Sequence, residues 1–263
     1  METLRHENSE EEKLAIENLY ETAGEHVAEF LPQLKELSKE LNEKGFPVDE
    51  NCRIKIESFI GKEGFSEEMI QKDSQAALSL EKKFLEQDGD KEVQEKNIGE
   101  LMEIMKTLAF NKHWFQSRLI ALRTTKFDDY FSGIDEIVFD TETHQPLAAI
   151  DTTTNPQEKA KLVKEQIKKG GRVRYGFDTK DGKEKSLKDL PTFIISLTAK
   201  DLSRIIEGLK GNEEFDKNFH YEQQIIWSLG QQSIAFQAFV DKENPAVKES
   251  YHRAGKIFKG LIR

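Results

Sequence analysis

A single cysteine, Cys52, stands among 263 residues. That excludes an intramolecular disulfide framework and any Cys-rich zinc site. No run of about 18 apolar residues occurs, which excludes an ordinary helical membrane span. The first residues carry no basic start followed by an apolar stretch, so no secretory signal is expected and the chain reads as a soluble cytoplasmic protein. The six histidines are scattered and offer no paired metal ligands. No His-Glu-x-x-His and no nucleophile elbow is present. Gly61-Lys62-Glu63-Gly64 has neither the spacing nor the Lys-Ser/Thr ending of a phosphate-binding loop.

What the chain has in quantity is charge. Charged residues make up 33%, and the net charge is −10. Taken whole, this argues against a nucleic-acid partner. By segment it does not. Residues 1–50 hold 14 acids and 5 Lys/Arg, so the rest is nearly neutral. Lys159 to Arg174 holds seven basic residues and one acid, and Lys242 to Arg263 six basic residues and two acids. Such stretches suit either a solvated helix face or a phosphate track.

Hydrophobic periodicity divides the chain into a helical region over 1–92, an α/β core over 93–210 and C-terminal helices over 211–263. Ile16, Tyr20, Ala23, Val27, Phe30, Leu34, Leu37 and Leu41 form a heptad seam. Pro32 predicts a kink or two shorter helices, and Gly45 with Pro47 ends the run. A helical hairpin packed on the body accounts for the seam; self-association through residues 10–44 is the alternative. Ser66 predicts the start of a helix to about Gln87, followed by a turn at Asp88-Gly89-Asp90. A second long helix is expected from Val93 to Arg123, with a slip near Asn111 to Trp114.

Beyond Thr124 the texture is β-like. Asp135 to Asp140 and Leu147 to Thr154, joined by a short loop, predict an antiparallel hairpin. Asn155-Pro156-Gln157-Glu158 predicts a capped helix start running to Lys169. Arg172 to Phe177 reads as a strand, with a turn at Asp181-Gly182. Thr192 to Leu197 is the most apolar strand and is expected to be central or buried on both faces. Thr198 predicts a helix cap. The expected fold is a small mixed sheet of about four strands flanked by helices.

The candidate chemistry is a carboxylate cluster around the hairpin. Asp128 and Asp129 precede it, Asp135 opens its first strand, and Asp151 ends an apolar run in the second. A carboxylate in such a strand costs free energy if buried unpaired. Two that converge repel unless a cation lies between them, and Mg²⁺, which takes few carboxylates and keeps its waters, suits that arrangement. The alternative is structural: Asp135 caps a turn and Asp151 caps the helix near Pro156.

Ser132-Gly133-Ile134-Asp135, a turn, then Leu147 to Asp151-Thr152-Thr153 resembles the core motif of the PD-(D/E)xK nuclease superfamily. The resemblance covers roughly residues 98–210. It implies a restriction-endonuclease-like core and Mg²⁺-dependent hydrolysis of phosphodiester bonds, in DNA rather than RNA. It makes Asp135, Asp151 and the carbonyl of Thr152 the metal ligands. The family often adds a helix glutamate, for which Glu100 and Glu103 are candidates, while Gln116 lies nearest the hairpin. Thr153 stands where the family has lysine, and a hydroxyl cannot stabilise negative charge as an ammonium does. Lys126, Lys161 and Lys164 are the expected substitutes. Lys159, Lys161, Lys164, Lys168, Lys169, Arg172 and Arg174 would touch phosphates. If no lysine reaches the site, the chain is instead a catalytically inactive module that binds or assembles. A purely helical scaffold is the third expectation.

Overall fold

The structure, a computed structural model, describes residues 10–86, 90–115, 118–143, 145–153, 159, 161, 163–178, 183–211, 219–240, 242 and 244–262. Among these are eight α-helices and six strands, in a mixed four-stranded sheet and a separate two-stranded one. A purely helical scaffold is thereby excluded. The expected turns at Asp88-Gly89 and Asp181-Gly182, the cap at Asn155 to Glu158, and Gln116 lie outside the described residues.

Helix α1, Glu10–Glu43, runs unbroken through Pro32. Pro32 is exposed, so the carbonyl it leaves without an N–H donor faces water, and packing on either side keeps the helix whole. Ala23, Phe30, Leu34, Leu37 and Leu41 are buried within this chain. The helix they pack on is α3, Asp90–Ala109. Between them comes α2, Glu67–Glu86, where the Ser66 hydroxyl accepts from the Met69 amide at 3.2 Å. The slip expected after α3 is a π-helical turn, Phe110–Trp114.

The long second helix then stops short of expectation. Leu119–Arg123 is not helix but β1, buried at every position. Its apolar run suits a buried strand as well as a helix face, and periodicity alone cannot separate the two. Helix α4, Lys126–Ser132, follows. Strands β2, Glu136–Asp140, and β3, Gln145–Thr153, form the expected antiparallel hairpin. Helix α5 is Lys164–Lys169. Strands β4, Gly171–Asp178, and β5, Lys183–Leu190, pair as a ribbon. Sequence reading missed β5, whose composition is polar. Strand β6, Thr192–Ser196, runs parallel to β3. Helices α6, Ala199–Lys210, α7, Phe219–Gln237, and α8, Pro245–Gly260, complete the chain. No helix among the described residues is long and apolar enough to cross a membrane.

Sheet order is β1-β2-β3-β6. Strand β6 is therefore an edge, not central, yet buried along most of its length. Its open backbone is satisfied by side chains. The Gln232 amide accepts from Ile194 N at 2.9 Å and donates to Ile194 O at 2.7 Å. Tyr251 Oη accepts from Thr192 N and donates to Thr192 O, both at 3.0 Å. At the other edge, Arg123 N donates to Cys52 O and Ile54 N to Arg123 O. Both edges are thus closed to another strand.

Candidate active site

Asp135 is delivered by a turn. Gly133 ends α4 at φ 61°, the left-handed region that favours glycine. The chain then enters β2, and Thr152 N donates to Asp135 Oδ2 at 2.8 Å, locking the carboxylate against β3. Asp151 lies one residue earlier on β3, opposite Ile194 of β6. Its side chain is 0% exposed. Neither carboxylate oxygen accepts a hydrogen bond of good geometry, although Lys159 Nζ stands 2.7 Å from Oδ2. Burial and the nearby charge of Asp135 push the Asp151 pKa up to about 6, against the pull of Lys159 and Lys106.

Helix α3 supplies a group that sequence reading missed. Lys106 is 0% exposed, and its ammonium donates to Thr152 Oγ1 at 2.6 Å and Asp135 Oδ2 at 3.2 Å, with Glu136 Oε2 at 3.7 Å. Burial alone would lower its pKa, but Glu136, Asp135 and Glu103 outweigh that and raise it, so the side chain is a buried cation. Glu136 is also wholly buried and is pushed up by burial; its Oε1 accepts from Thr107 Oγ1 at 2.6 Å.

A second arc of charge adjoins the first. Arg123 holds Glu100 at 3.1 Å and also pairs with Glu103. Arg53 reaches Glu103 and Asp129, each at 3.1 Å. Glu103 is buried, which would raise its pKa, yet the two guanidiniums hold it down to about 2. Burial and Glu103 push Asp129 up to about 7. The candidate helix acids are therefore committed to arginines. Across both arcs, the carboxylates of Glu100, Glu103, Asp129, Asp135, Glu136 and Asp151 face the cations Arg53, Lys106, Arg123 and Lys159. Two more acids than bases are present, an excess that one divalent cation or two protons would balance.

The remaining expectations separate. Lys126 pairs with Glu81, away from the hairpin. Lys161 and Lys164 are exposed, and neither forms an ion pair among the described residues. Lys168 and Lys169 pair with Glu165 at 3.4 and 2.9 Å. Arg174 pairs with Asp73 at 2.5 Å, and Arg172 is exposed on β4. Lys159, expected on phosphate, stands on Asp151 instead. Asp128 is a structural staple: it accepts from Arg174 N at 2.7 Å and Tyr175 N at 3.1 Å.

The donor set suits a hard, partly hydrated cation better than a soft one. No group of three His, Cys, Asp or Glu residues able to hold a metal occurs among the described residues. Asp135 and Asp151, the latter buried with oxygens that lack a well-formed hydrogen bond, are the two carboxylates available to such an ion. That is compatible with Mg²⁺, which keeps several waters, and not with a closed zinc site. No family model, no curated protein and no solved structure matches this chain.

Proposed function

We propose that this chain is a metal-dependent nuclease-like protein that hydrolyses phosphodiester bonds of DNA, on the PD-(D/E)xK pattern that its hairpin resembles. The observation that carries the reading is the meeting of Asp135, just before β2, and Thr152 of β3 on one buried ammonium, with the buried carboxylate of Asp151 next to Thr152 and lacking a hydrogen bond of good geometry. Asp135, Asp151 and the Thr152 carbonyl are the groups that would hold Mg²⁺. When bound, the ion would supply a Lewis acid that polarises the phosphoryl group and acidifies water.

The chain's own residues divide the remaining work. Lys106 fixes Asp135 and Thr152 in place and neutralises charge beneath them, which makes it a positioning residue. Lys159 is 24% exposed and reaches solvent. Its ammonium stands against the buried carboxylate of Asp151 as a cation would. Released from there, it takes the part of the absent motif lysine and meets the charge that develops on the phosphate.

Two substitutions test this. Asp135→Ala is expected to abolish Mg²⁺-dependent cleavage while the chain stays folded, and Lys159→Ala to slow it about 10²–10³-fold. Persisting cleavage in Asp135→Ala contradicts the reading. Two observations favour the second reading, an inactive binding module: Thr153 stands in the lysine position, and Lys106 is sealed from solvent within its bonds. That reading predicts no cleavage by the unaltered chain with Mg²⁺ or Mn²⁺.

A further inference from the structure

A groove lies between α4 and the β4–β5 ribbon. Phe127, Phe131, Ser132, Arg172, Arg174 and Lys188 are among its lining residues, and its volume is about 390 Å³. That lies within the range of pockets that hold small organic groups. The lining holds three cations and no carboxylate.

Its aromatic side is exposed. Phe131 is 54% exposed although it is large and apolar. It stacks on Phe127, with centroids 4.8 Å apart and planes 27° apart. Phe127 in turn carries the Arg174 guanidinium 4.8 Å from its centroid. Phe131 is thus the solvent-facing end of a preformed stack. Arg174 is held from behind by Asp73. Arg172 and Lys188 have no acidic partner among the described residues.

We infer that this groove binds single-stranded DNA, with one base stacked on Phe131 and the flanking phosphates on Arg172 and Lys188. An aromatic platform between unpaired cations is how proteins hold single strands without reading sequence. A duplex keeps its bases stacked inside and offers no face to Phe131. The groove and the candidate site share a connection in the chain: Ser132 lines the groove, and the Gly133 turn that follows it leads to Asp135. The inference deepens the nuclease reading by naming the substrate strand, and it rests on that reading only for the link to cleavage.

The test is fluorescence anisotropy with the full chain, in EDTA so that no cleavage intervenes. The probe is a labelled oligothymidine of about 15 nucleotides, within the site sizes known for such grooves. Phe131→Ala is expected to weaken binding about tenfold, and Phe131→Trp to keep it. Arg172→Ala with Lys188→Ala is expected to weaken binding and to reduce the salt slope by about 1.4, because two phosphates of the single strand are then no longer neutralised. Thermal melting checks that each variant is folded. No single-strand binding at about 50 mM salt, where phosphate pairing is strongest, overturns the inference. So does an affinity unchanged in Phe131→Ala, or a duplex bound as tightly as the single strand. Failure of the nuclease reading looks different. A chain that binds through the groove but never cleaves with Mg²⁺ or Mn²⁺ keeps the groove and loses the enzyme. A chain that cleaves while Phe131→Ala leaves binding unchanged does the reverse.

Discussion

Asp151 is a buried carboxylate in an apolar strand, paired with Lys159 at 2.7 Å but without a hydrogen bond of good geometry, and its cost is measurable. Its ordinary pKa is 3.8 and burial beside Asp135 lifts it to about 6. The folded state therefore holds a proton that the unfolded state has released between pH 4 and 6, and stability falls as pH rises through that window. Asp151→Asn removes the charge without changing shape. In metal-free buffer it is expected to stabilise the chain more at pH 8 than at pH 4, by about 2–3 kcal/mol. Urea unfolding at the two pH values measures this; equal gains at both would show that Asp151 titrates normally. Lys106 predicts the opposite sign. Lys106→Met leaves the buried Glu136 and the partly buried Asp135 without their cation and is expected to cost about 3–5 kcal/mol. Adding Glu136→Gln should recover part of that loss, and a purely additive double variant would contradict the pairing. Cys52 is a third case. Burial pushes its thiol up to about 12, so it is expected to ignore thiol reagents until the chain unfolds.

These residues differ in how far sequence exposes them. Asp135 and Asp151 were legible because a carboxylate next to an apolar strand is out of place. Lys106 was not, since it sits among Glu100, Glu103 and other charges in a helix that looks solvated. A faint signal existed: Met102, Lys106 and Ala109 step by four and three, so the lysine interrupts the buried stripe of α3. Charge alone marks Lys159 as one of seven basic residues, and nothing local shows that it turns back eight residues to Asp151.

Among elements, those with alternating apolar patterns and turn residues were read correctly: the β2–β3 hairpin, β4, and the Thr198 cap of α6. That cap is a full capping box with Asp201. Strand β1 failed because a five-residue buried run carries no period of its own. Strand β5 failed because Leu187 and Leu190 are its only large apolar residues, and its pairing with β4 makes it a strand. The join between α5 and β4 places Arg172 at the groove, and it depends on Gly170. There φ is +80°, and a Cβ would stand 2.6 Å from the Asp189 backbone. Gly170→Ala is therefore expected to cost more than about 1 kcal/mol, since strain at φ and backbone overlap add. A melting temperature unchanged in this variant would mean that the ribbon shifts freely on α5.

For the molecule as a whole, the net charge misleads until it is mapped. Its acidity belongs to the first 50 residues; among the described ones, Ala23, Phe30, Leu34, Leu37 and Leu41 are buried on the seam that meets α3, while the glutamates from Glu17 to Glu43 are exposed. Helix α5 and strand β4 carry most of the basic segment, and β4 brings Arg172 and Arg174 to the groove. The fold class was legible because both flanks are strongly helical and the middle is not. The site was half legible, since its carboxylates lie in one stretch and its cations arrive from α3 and from beyond β3. The most direct measurement is the rate at which the purified chain cleaves single-stranded DNA in Mg²⁺, set against EDTA and against Asp151→Asn. Cleavage that requires Mg²⁺ and disappears in Asp151→Asn is the predicted result. Cleavage undiminished in Asp151→Asn, or none from the unaltered chain in Mg²⁺ or Mn²⁺, would contradict the assignment of this site to phosphodiester hydrolysis.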